Sequence, residues 1–384
     1  MKISEKTKCK VPFGTMSVEP EAIQLINTML ANKMLTNGKC VQEFENQFAQ
    51  AFQQNYAVAV SSGTDAVTLA LATLHDFGVP RGAKVIVPAL TFIATANAVL
   101  NAGFQPKFID VDRNTLNMNP YELEEAIDGE TRAILVVHLM GNPAAMDKIK
   151  EIADKYDLFL IEDCAEAHGA MIGHKYVGSW GIMACYSLYA AHIVSSIEGG
   201  MVTTNHIECD KILRSLRNHG MEMQGSNWTF ERVGYSSKMN ELEAAIGLYN
   251  LKYHGATKMK RRINMLHLMR EFKEKGFDKY FLILEEKPNT QISAHAFSII
   301  LKPNCPFTKT EFVKHLSDRG IDNRNLFYSI PTQCEAYKKY ASNIYPEAEY
   351  CSNNGTHIGV HQDLTLNQLE YVIKSIEEFL YEKT

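Results

Sequence analysis

The chain has 384 residues, of which 46% are hydrophobic and 22% charged, so it can bury a full core and suggests roughly two domains of ordinary size. The net charge of −5 comes from acidic and basic residues scattered without long runs, which excludes a basic stripe that would follow nucleic-acid phosphates. No apolar run of about 18 residues occurs and the N-terminus lacks an apolar leader, so we expect a cytoplasmic protein without a membrane partner.

The eight cysteines show no CxxC spacing and no Cys/His cluster. Such a pattern argues against a zinc site and against a disulfide framework. We therefore expect no bound metal and cysteines that are reduced and structural.

Short β-branched runs alternate with helical patterns from about residue 56 to about residue 205. This alternation predicts βαβ units, a mostly parallel sheet and a three-layer α/β domain. Crossover helices are predicted at residues 64–75 and 145–156. The predicted strands are residues 56–62, 84–89, 106–112, 132–140, 158–164, 184–190 and 199–205.

The pattern changes after about residue 250, where a long charged helix is predicted at residues 252–275. We interpret residues 1–250 as a large α/β domain with an N-terminal arm, and residues 251–384 as a smaller α+β domain. The remaining predicted elements of the smaller domain are strands at 280–284 and 294–301 and helices at 308–319 and 366–381.

The first segment that could carry chemistry is SSGTDA, residues 61–66, where an apolar strand ends in small residues and a helix follows at once. Free N–H groups at a helix start, beside a glycine that permits close approach, form a site suited to a phosphate. Taken alone, the segment is better explained as an ordinary strand-to-helix turn, because such a short motif has low specificity.

The second segment is IEDCAEAHG, residues 161–169, which places carboxylates at the carboxyl end of an apolar strand. Open α/β sheets bind ligands at that edge. Asp163 would suit a protonated pyridine nitrogen, the electron sink of a vitamin B6 cofactor. The alternative is a set of acidic residues that cap the next turn.

The third segment is SLYAAHIVSSIEGG, residues 187–200, in which His192 lies in a polar loop between two strands. Histidine titrates near neutral pH and therefore can act as a general base. A solvated or capping role is the ordinary explanation for a single loop histidine, and the segment alone does not choose between the two.

In this order and spacing, the three segments resemble the nucleotide-sugar aminotransferases of the DegT/DnrJ type, which are fold-type I enzymes that depend on pyridoxal 5′-phosphate (PLP). The resemblance extends over nearly the whole chain. Further matching segments are GKCVQEFE at 38–45, VPALTF at 87–92, FIDVD at 108–112 and GYSSKMNELEAAIG at 234–247.

The resemblance implies a set of cofactor contacts. Gly63, Thr64 and Ser187 would hold the cofactor phosphate, and Phe92 would stack on the ring. Asp163 would pair with the pyridine nitrogen, with Glu166 near the ring oxygen. In this family the active site forms between two subunits, so the resemblance implies a homodimer in which Ser236 contacts the phosphate of the partner's site, with Lys238 nearby. It also implies that His219 helps to bind the amino donor, and that Asn37 contacts the substrate; a helix-terminal cap is the alternative for His219.

The chain departs from the aminotransferases at His192, which stands where they carry the lysine that binds the cofactor covalently. No lysine occurs between Lys175 and Lys211. An imidazole cannot form that link, so the cofactor would be held by noncovalent contacts, as PLP or as pyridoxamine 5′-phosphate. A histidine at this position is similar to the sugar 3-dehydratase branch, typified by GDP-4-keto-6-deoxymannose 3-dehydratase.

That branch implies removal of the C3 hydroxyl from a nucleotide-linked 4-keto-6-deoxy sugar, with His192 as the base and L-glutamate as the amino donor. Two further departures are Ile193, where the dehydratases carry a second histidine, and Ser236, where the aminotransferases carry asparagine. Two alternatives remain open: a sugar aminotransferase whose lysine is replaced by His192, and a PLP-binding or regulatory homologue without catalysis.

Overall fold

The structure is a computed structural model that describes residues 9–341 and 343–383. The α-helices are α1 (Pro20–Asn32), α2 (Lys39–Ala51), α3 (Gly63–Thr73), α4 (Ile93–Asn101), α5 (Pro120–Glu125), α6 (Met146–Lys155), α7 (Ile207–Arg217), α8 (Glu241–Lys252), α9 (His254–Glu274), α10 (Lys309–Asp318), α11 (Pro346–Asn354) and α12 (Leu366–Lys383).

Strands of two to seven residues alternate with these helices along most of the chain. They are β1 (Tyr56–Val60), β2 (Lys84–Pro88), β3 (Gln105–Ile109), β4 (Val111–Asp112), β5 (Asn117–Met118), β6 (Thr131–Val137), β7 (Phe159–Asp163), β8 (Met171–Ile172), β9 (Lys175–Tyr176), β10 (Met183–Ser187), β11 (Gly200–Thr204), β12 (Met221–Gln224), β13 (Asn227–Phe230), β14 (Phe281–Ile283), β15 (Thr290–Gln291), β16 (Ala296–Leu301), β17 (Asn323–Asn325) and β18 (Gly355–Gly359).

The main sheet has seven strands in the order β1-β11-β10-β7-β6-β2-β3. Only β11 runs against its neighbours in this sheet; β10, β7, β6, β2 and β3 pair in parallel. Because β1 and β10 are each antiparallel to β11, they point the same way as the parallel strands. The carboxyl ends of β1, β2, β6, β7 and β10 therefore meet at one edge, and the predicted α/β class is confirmed.

Several predicted strands end earlier in the structure, each for a local reason. The predicted strand at 132–140 stops at Val137, because the chain then turns through a short 3₁₀ segment in which Met140 is left-handed. The predicted strand at 106–112 is broken at Asp110, whose carboxylate accepts the N–H groups of Glu347 and Ala348 at the start of α11. The predicted strand at 184–190 stops at Ser187, so that His192 lies in an irregular loop.

A second, four-stranded sheet forms after residue 280, in the order β14-β16-β18-β17 and antiparallel throughout. Helices α9, α10 and α12 pack around it over a core rich in phenylalanine. The division into domains at residues 250 and 251 stays a prediction, since one apolar cluster includes buried residues from both sides of it, such as Ile161 and Ile300. Among the described helices, none combines the length and apolar character needed to cross a bilayer.

Candidate functional site

All the predicted cofactor residues except Ser236 line one cavity of about 410 Å³ at the carboxyl edge of the main sheet. Its position follows from the topology, because every strand that supplies a lining residue ends at this edge. The predicted residues that line it are Gly63, Thr64, Phe92, Asp163, Glu166, Ser187 and His192.

One end of the cavity is formed by the start of α3 and the end of β10. Ser62 caps α3 by accepting the N–H of Asp65 at 3.0 Å. The other N–H groups of the first helical turn have no intrahelical partner, as at the start of any helix. Gly63 lies so close to Ser187 that a Cβ on it would be 2.7 Å from the Ser187 Cβ. Helix N–H groups, the Thr64 and Ser187 hydroxyls and a backbone free of side-chain bulk suit a phosphate.

The floor of the cavity is formed by Asp163, at the end of β7. Its carboxylate accepts the N–H of Ala165 at 3.0 Å and the hydroxyl of Thr95 at 3.4 Å. Burial raises the pKa of Asp163, against the opposing effects of these hydrogen bonds and of His138. A protonated ring nitrogen would supply the opposite charge that this buried carboxylate requires.

The outer wall includes Phe92, which caps α4 and is 63% exposed. An aromatic ring this exposed at the mouth of a cavity offers a face on which a second ring can stack. The residues present therefore fit a phosphorylated pyridine: a phosphate cradle, an aromatic face and a buried acid line the same cavity.

His192 also lines the cavity, from the loop that joins β10 to β11. Its backbone is held from α9, since both terminal nitrogens of Arg261 donate to the Ala191 carbonyl at 3.2 Å. Burial, assisted by the charge of Arg261, lowers the pKa of His192 to about 3. The imidazole is thus neutral at neutral pH and carries the lone pair that a base needs, but the same burial makes it a weaker base than the histidine near neutral pH that the sequence suggested.

The loop that carries His192 is strained. Ile197 has a φ of 77°, a left-handed conformation that a β-branched side chain rarely adopts. Its neighbour Glu198 lines the cavity. Backbone strain of this kind costs about 1–3 kcal/mol and is concentrated at functional sites.

Glu166 lines the same cavity as His192, and both residues lie near His295. One carboxylate oxygen accepts the N–H of Met140 at 2.6 Å, and the other lies 3.8 Å from Nε2 of His295. Burial raises the pKa of Glu166 to about 7, and the nearby Asp163 carboxylate adds to the rise. This side chain therefore titrates close to neutral pH.

Four predicted residues lie outside the cavity of a single chain. Asn37 donates to the Met239 carbonyl at 3.4 Å, and Ser236 is exposed and pairs through its backbone with Asn218, directly after α7. His219 is exposed and left-handed, one residue beyond the Asn218 that ends α7. Lys238, predicted to lie near Ser236, is exposed and donates to Asn218 at 2.8 Å.

The structure also brings in residues that the motifs do not indicate. His138 pairs with Glu162 behind Asp163 at 3.1 Å, and three backbone N–H groups donate to that Glu162 carboxylate. Cys164 lies beside this pair, but the satisfied carboxylate marks a structural network. Thr95 and His295 come from distant segments and only the fold places them here, so a single sequence offers no signal for them.

Two relatives resemble the chain over nearly its full length. GDP-perosamine synthase of Escherichia coli O157:H7 is 32% identical over 383 residues, which span 97% of this chain and 99% of the relative. GDP-4-keto-6-deoxy-D-mannose 3-dehydratase of Escherichia coli O55:H7 is 31% identical over 384 residues, spanning 94% and 98%.

Solved structures show the same fold. The E. coli GDP-4-keto-6-deoxy-D-mannose 3-dehydratase with bound hydrated PLP matches with a TM-score of 0.89 at 30% identity, covering 96% of this chain and 99% of that one. A GDP-4-keto-6-deoxymannose 3-dehydratase with a trapped PLP–glutamate geminal diamine matches with a TM-score of 0.88 at 29% identity, covering 95% and 100%. The fold-type I architecture expected from the resemblance is thereby confirmed.

The family model described as the DegT/DnrJ/EryC1/StrS aminotransferase family matches residues 17–377, a range that contains every predicted site residue. This chain therefore belongs to the DegT/DnrJ/EryC1/StrS aminotransferase family.

Proposed function

We propose that this protein is a PLP- or pyridoxamine-phosphate-dependent enzyme that removes the C3 hydroxyl from a nucleotide-linked 4-keto-6-deoxy sugar. The observation that supports the proposal most strongly is the position of His192. It lines the cavity that fits the cofactor, and among the described residues that line this cavity there is no lysine. A family member without that lysine cannot hold its cofactor covalently in the resting state.

The bound cofactor supplies an amine for the sugar ketone and a ring that stores electrons. The protein supplies the binding and the orientation. The start of α3 with Thr64 and Ser187 holds the phosphate, Phe92 covers the ring, and Asp163 stabilises a protonated ring nitrogen. These contacts replace the covalent link and fix the ring against the sheet edge.

His192 acts in this proposal as the general base. Its imidazole is neutral at neutral pH, and the ring lies in the cavity wall where it can accept a proton from carbon and return it to a leaving hydroxyl. Lysine in the same loop would be a covalent ligand as well as a base. Histidine keeps only the role of the base. We infer that this favours elimination over exchange of an amino group.

L-Glutamate is proposed as the amino donor that restores the amine form of the cofactor, and a GDP-linked sugar as the first substrate to test. Both follow the names of the similar proteins, which include a 3-dehydratase with bound GDP-perosamine and one with a PLP–glutamate adduct. Asn37 and His219 are the proposed contacts for substrate and donor.

A homodimer is proposed because Ser236, Lys238 and His219 lie on the surface of a single chain, outside its own cavity. The nearby β12–β13 hairpin also exposes Trp228 by 58% and Phe230 by 67%. Exposed aromatic side chains at this density are typical of protein interfaces. Sedimentation equilibrium at micromolar concentration should give twice the chain mass; a monomer would contradict this arrangement.

A sugar aminotransferase is the second candidate, favoured by the 32% identity to GDP-perosamine synthase. The two candidates predict different products from the same substrates. Elimination yields a 4-keto-3-deoxy sugar and free ammonia, whereas amino transfer yields a 4-amino sugar that retains the C3 oxygen. The regulatory alternative predicts cofactor binding without any product.

The experiment is an incubation of the protein with GDP-4-keto-6-deoxymannose, PLP and L-glutamate, followed by mass spectrometry of the sugar nucleotide. We expect a product that has lost one oxygen atom, with release of ammonia. A 4-amino product would support the aminotransferase, and unchanged substrate would support the regulatory alternative.

The His192→Lys variant is the matched control for the missing covalent link. Borohydride should attach the cofactor to His192→Lys but not to the unmodified protein. If the variant gained robust amino transfer while the unmodified protein formed neither product, the aminotransferase alternative would be adopted.

A further inference from the structure

The proposed base is packed against a second buried histidine, His295, which directly precedes β16. The two imidazole rings have centroids 5.1 Å apart and planes inclined by 40°. The His295 side chain is only 10% exposed and is not among the residues that line the cavity. His295 thus supports the cavity wall from behind.

His295 also faces Glu166, the cavity carboxylate that titrates near neutral pH. Its Nε2 lies 3.8 Å from one Glu166 oxygen, while the other oxygen is held by the Met140 N–H. A gap of this size closes to a hydrogen bond with a small movement of the side chain, as is common when ligand-free sites tighten. One ring therefore connects two groups that line the cavity.

The ring of His192 needs such support, because hydrogen bonds fix only its backbone. Its Nδ1 atom is buried and has no hydrogen-bond partner among the described residues. Two rings pack against it from inside the protein, His295 at 5.1 Å and His168 at 5.9 Å. Of these two, His295 alone also reaches a cavity carboxylate in the described contacts.

The charged and titratable groups around His295 come from four elements. Glu166 follows β7, Arg261 belongs to α9, Arg324 to β17 and His357 to β18. Burial lowers the pKa of His295, and His192, Arg261, His357 and Arg324 lower it further, so the ring is neutral at neutral pH. A neutral imidazole can accept from a protonated Glu166 at one nitrogen and donate from the other.

We propose that His295 is a positioning residue that holds the His192 ring in its working orientation and couples it to the protonation of Glu166. The inference rests on the proposed role of His192 as the base. The C-terminal part of the chain would then influence the reaction directly, because His295, at the start of β16, contacts His192 in the loop between β10 and β11.

The test compares three variants. His295→Phe keeps a planar ring but removes both nitrogens, His295→Gln keeps a donor and an acceptor, and His315→Phe is the control. His315 is partly buried like His295 and belongs to the same part of the chain, but it lies in α10, where its ring packs on Phe379 at a centroid distance of 5.1 Å, and its described contacts include neither His192 nor His295. Readouts are the dehydration rate with pH and, without substrate, the ¹⁵N side-chain signals of His192.

We expect His295→Phe to lower kcat by about 100-fold with little change in KM, because a misplaced base slows the chemical step rather than binding. The His192 signals should change from one dominant tautomer to a mixture. His295→Gln should recover much of the rate, and His315→Phe should leave both readouts unchanged. In Glu166→Gln, the His295 signals should shift.

Different results would contradict the proposed dehydration and the proposed positioning role of His295. If the unmodified enzyme makes no 3-deoxy sugar, the proposed function fails, and the ¹⁵N signals still report whether His295 orients His192. If His295→Phe leaves the tautomer and the pH profile of His192 unchanged, the positioning role is wrong. Should that variant not fold, unaltered His295 signals in Glu166→Gln would overturn the proposal equally.

Discussion

The two ends of the cavity are built differently. The phosphate end, formed by Ser62, Gly63, Thr64 and Ser187, stands on a capped helix and the last residue of a strand. The base end, lined by His192, stands on an irregular loop that contains the left-handed Ile197 and is supported from behind by His295, which comes from a distant part of the chain. Cofactor binding is therefore fixed by regular structure, whereas the reaction depends on tertiary packing.

This difference predicts that substitutions at the base end change the rate more than the affinity for the cofactor. The phosphate end should show the reverse, because its backbone holds the ligand in the ground state and in the transition state alike.

His192→Asn should lower the dehydration rate by roughly 100- to 10,000-fold, the usual contribution of a general base, while PLP still binds. Steady-state product formation and a fluorescence titration with PLP measure the two quantities. His174→Asn, in the exposed turn between β8 and β9, is the control and should match the unmodified protein. A fully active His192→Asn would show that the base is elsewhere.

Asp163→Asn should weaken PLP binding by about 10- to 100-fold, because an amide cannot stabilise a protonated ring nitrogen as a carboxylate does. Equilibrium dialysis with PLP gives the dissociation constant. Asp157→Asn lies at the exposed turn before β7 and should have no effect. Equal affinities for the two variants would contradict the assignment of Asp163.

Gly63→Ala should destabilise the protein by about 1–3 kcal/mol and weaken PLP binding, since its Cβ would sit 2.7 Å from the Ser187 Cβ and 3.1 Å from the Ser187 Cα. Thermal unfolding with and without PLP measures both effects. Gly255→Ala is the control, because the space around Gly255 in α9 is open. A Gly63→Ala variant that binds PLP with normal affinity would contradict a close fit of the phosphate at Gly63.

Glu166→Gln should change the pH dependence of stability in cofactor-stripped protein. Between 4.5, the ordinary pKa of glutamate, and about 7, the raised value of Glu166, the folded protein binds more protons than the unfolded chain. Its contribution therefore favours folding at low pH and is lost as the pH rises through this window. Removing the carboxyl should flatten the slope of the unfolding free energy against pH by about 1 kcal/mol per pH unit in this window, as measured by urea unfolding. Parallel curves for the two proteins would place the pKa of Glu166 outside the window.

The structural difference between the phosphate end and the base end also explains which parts of the site could be predicted from the sequence. The strand-to-helix turn at Gly63 and the acidic strand end at Asp163 follow from local patterns, and the direction of the strands brings them together. The family resemblance singled out His192, yet the surroundings of that residue are tertiary. Ile197 is left-handed and His295 lies about a hundred residues further along the chain, and neither fact leaves a periodic signal.

Sequence patterns also misjudged where strands end at the site. Apolar character continues beyond Val137 and Ser187, but the chain leaves the sheet at both points to form the cavity wall. The local β propensity of these residues favours a longer strand, but tertiary contacts at the site impose a different backbone path and override that propensity. The edges of elements at the cavity were therefore the least predictable part of the fold.

The measurement that tests the central claim most directly is the mass of the sugar nucleotide formed from GDP-4-keto-6-deoxymannose by unmodified protein with PLP and L-glutamate. The account predicts a product that lacks one oxygen atom, formed together with ammonia and absent with His192→Asn. A 4-amino sugar that keeps its C3 oxygen would contradict it.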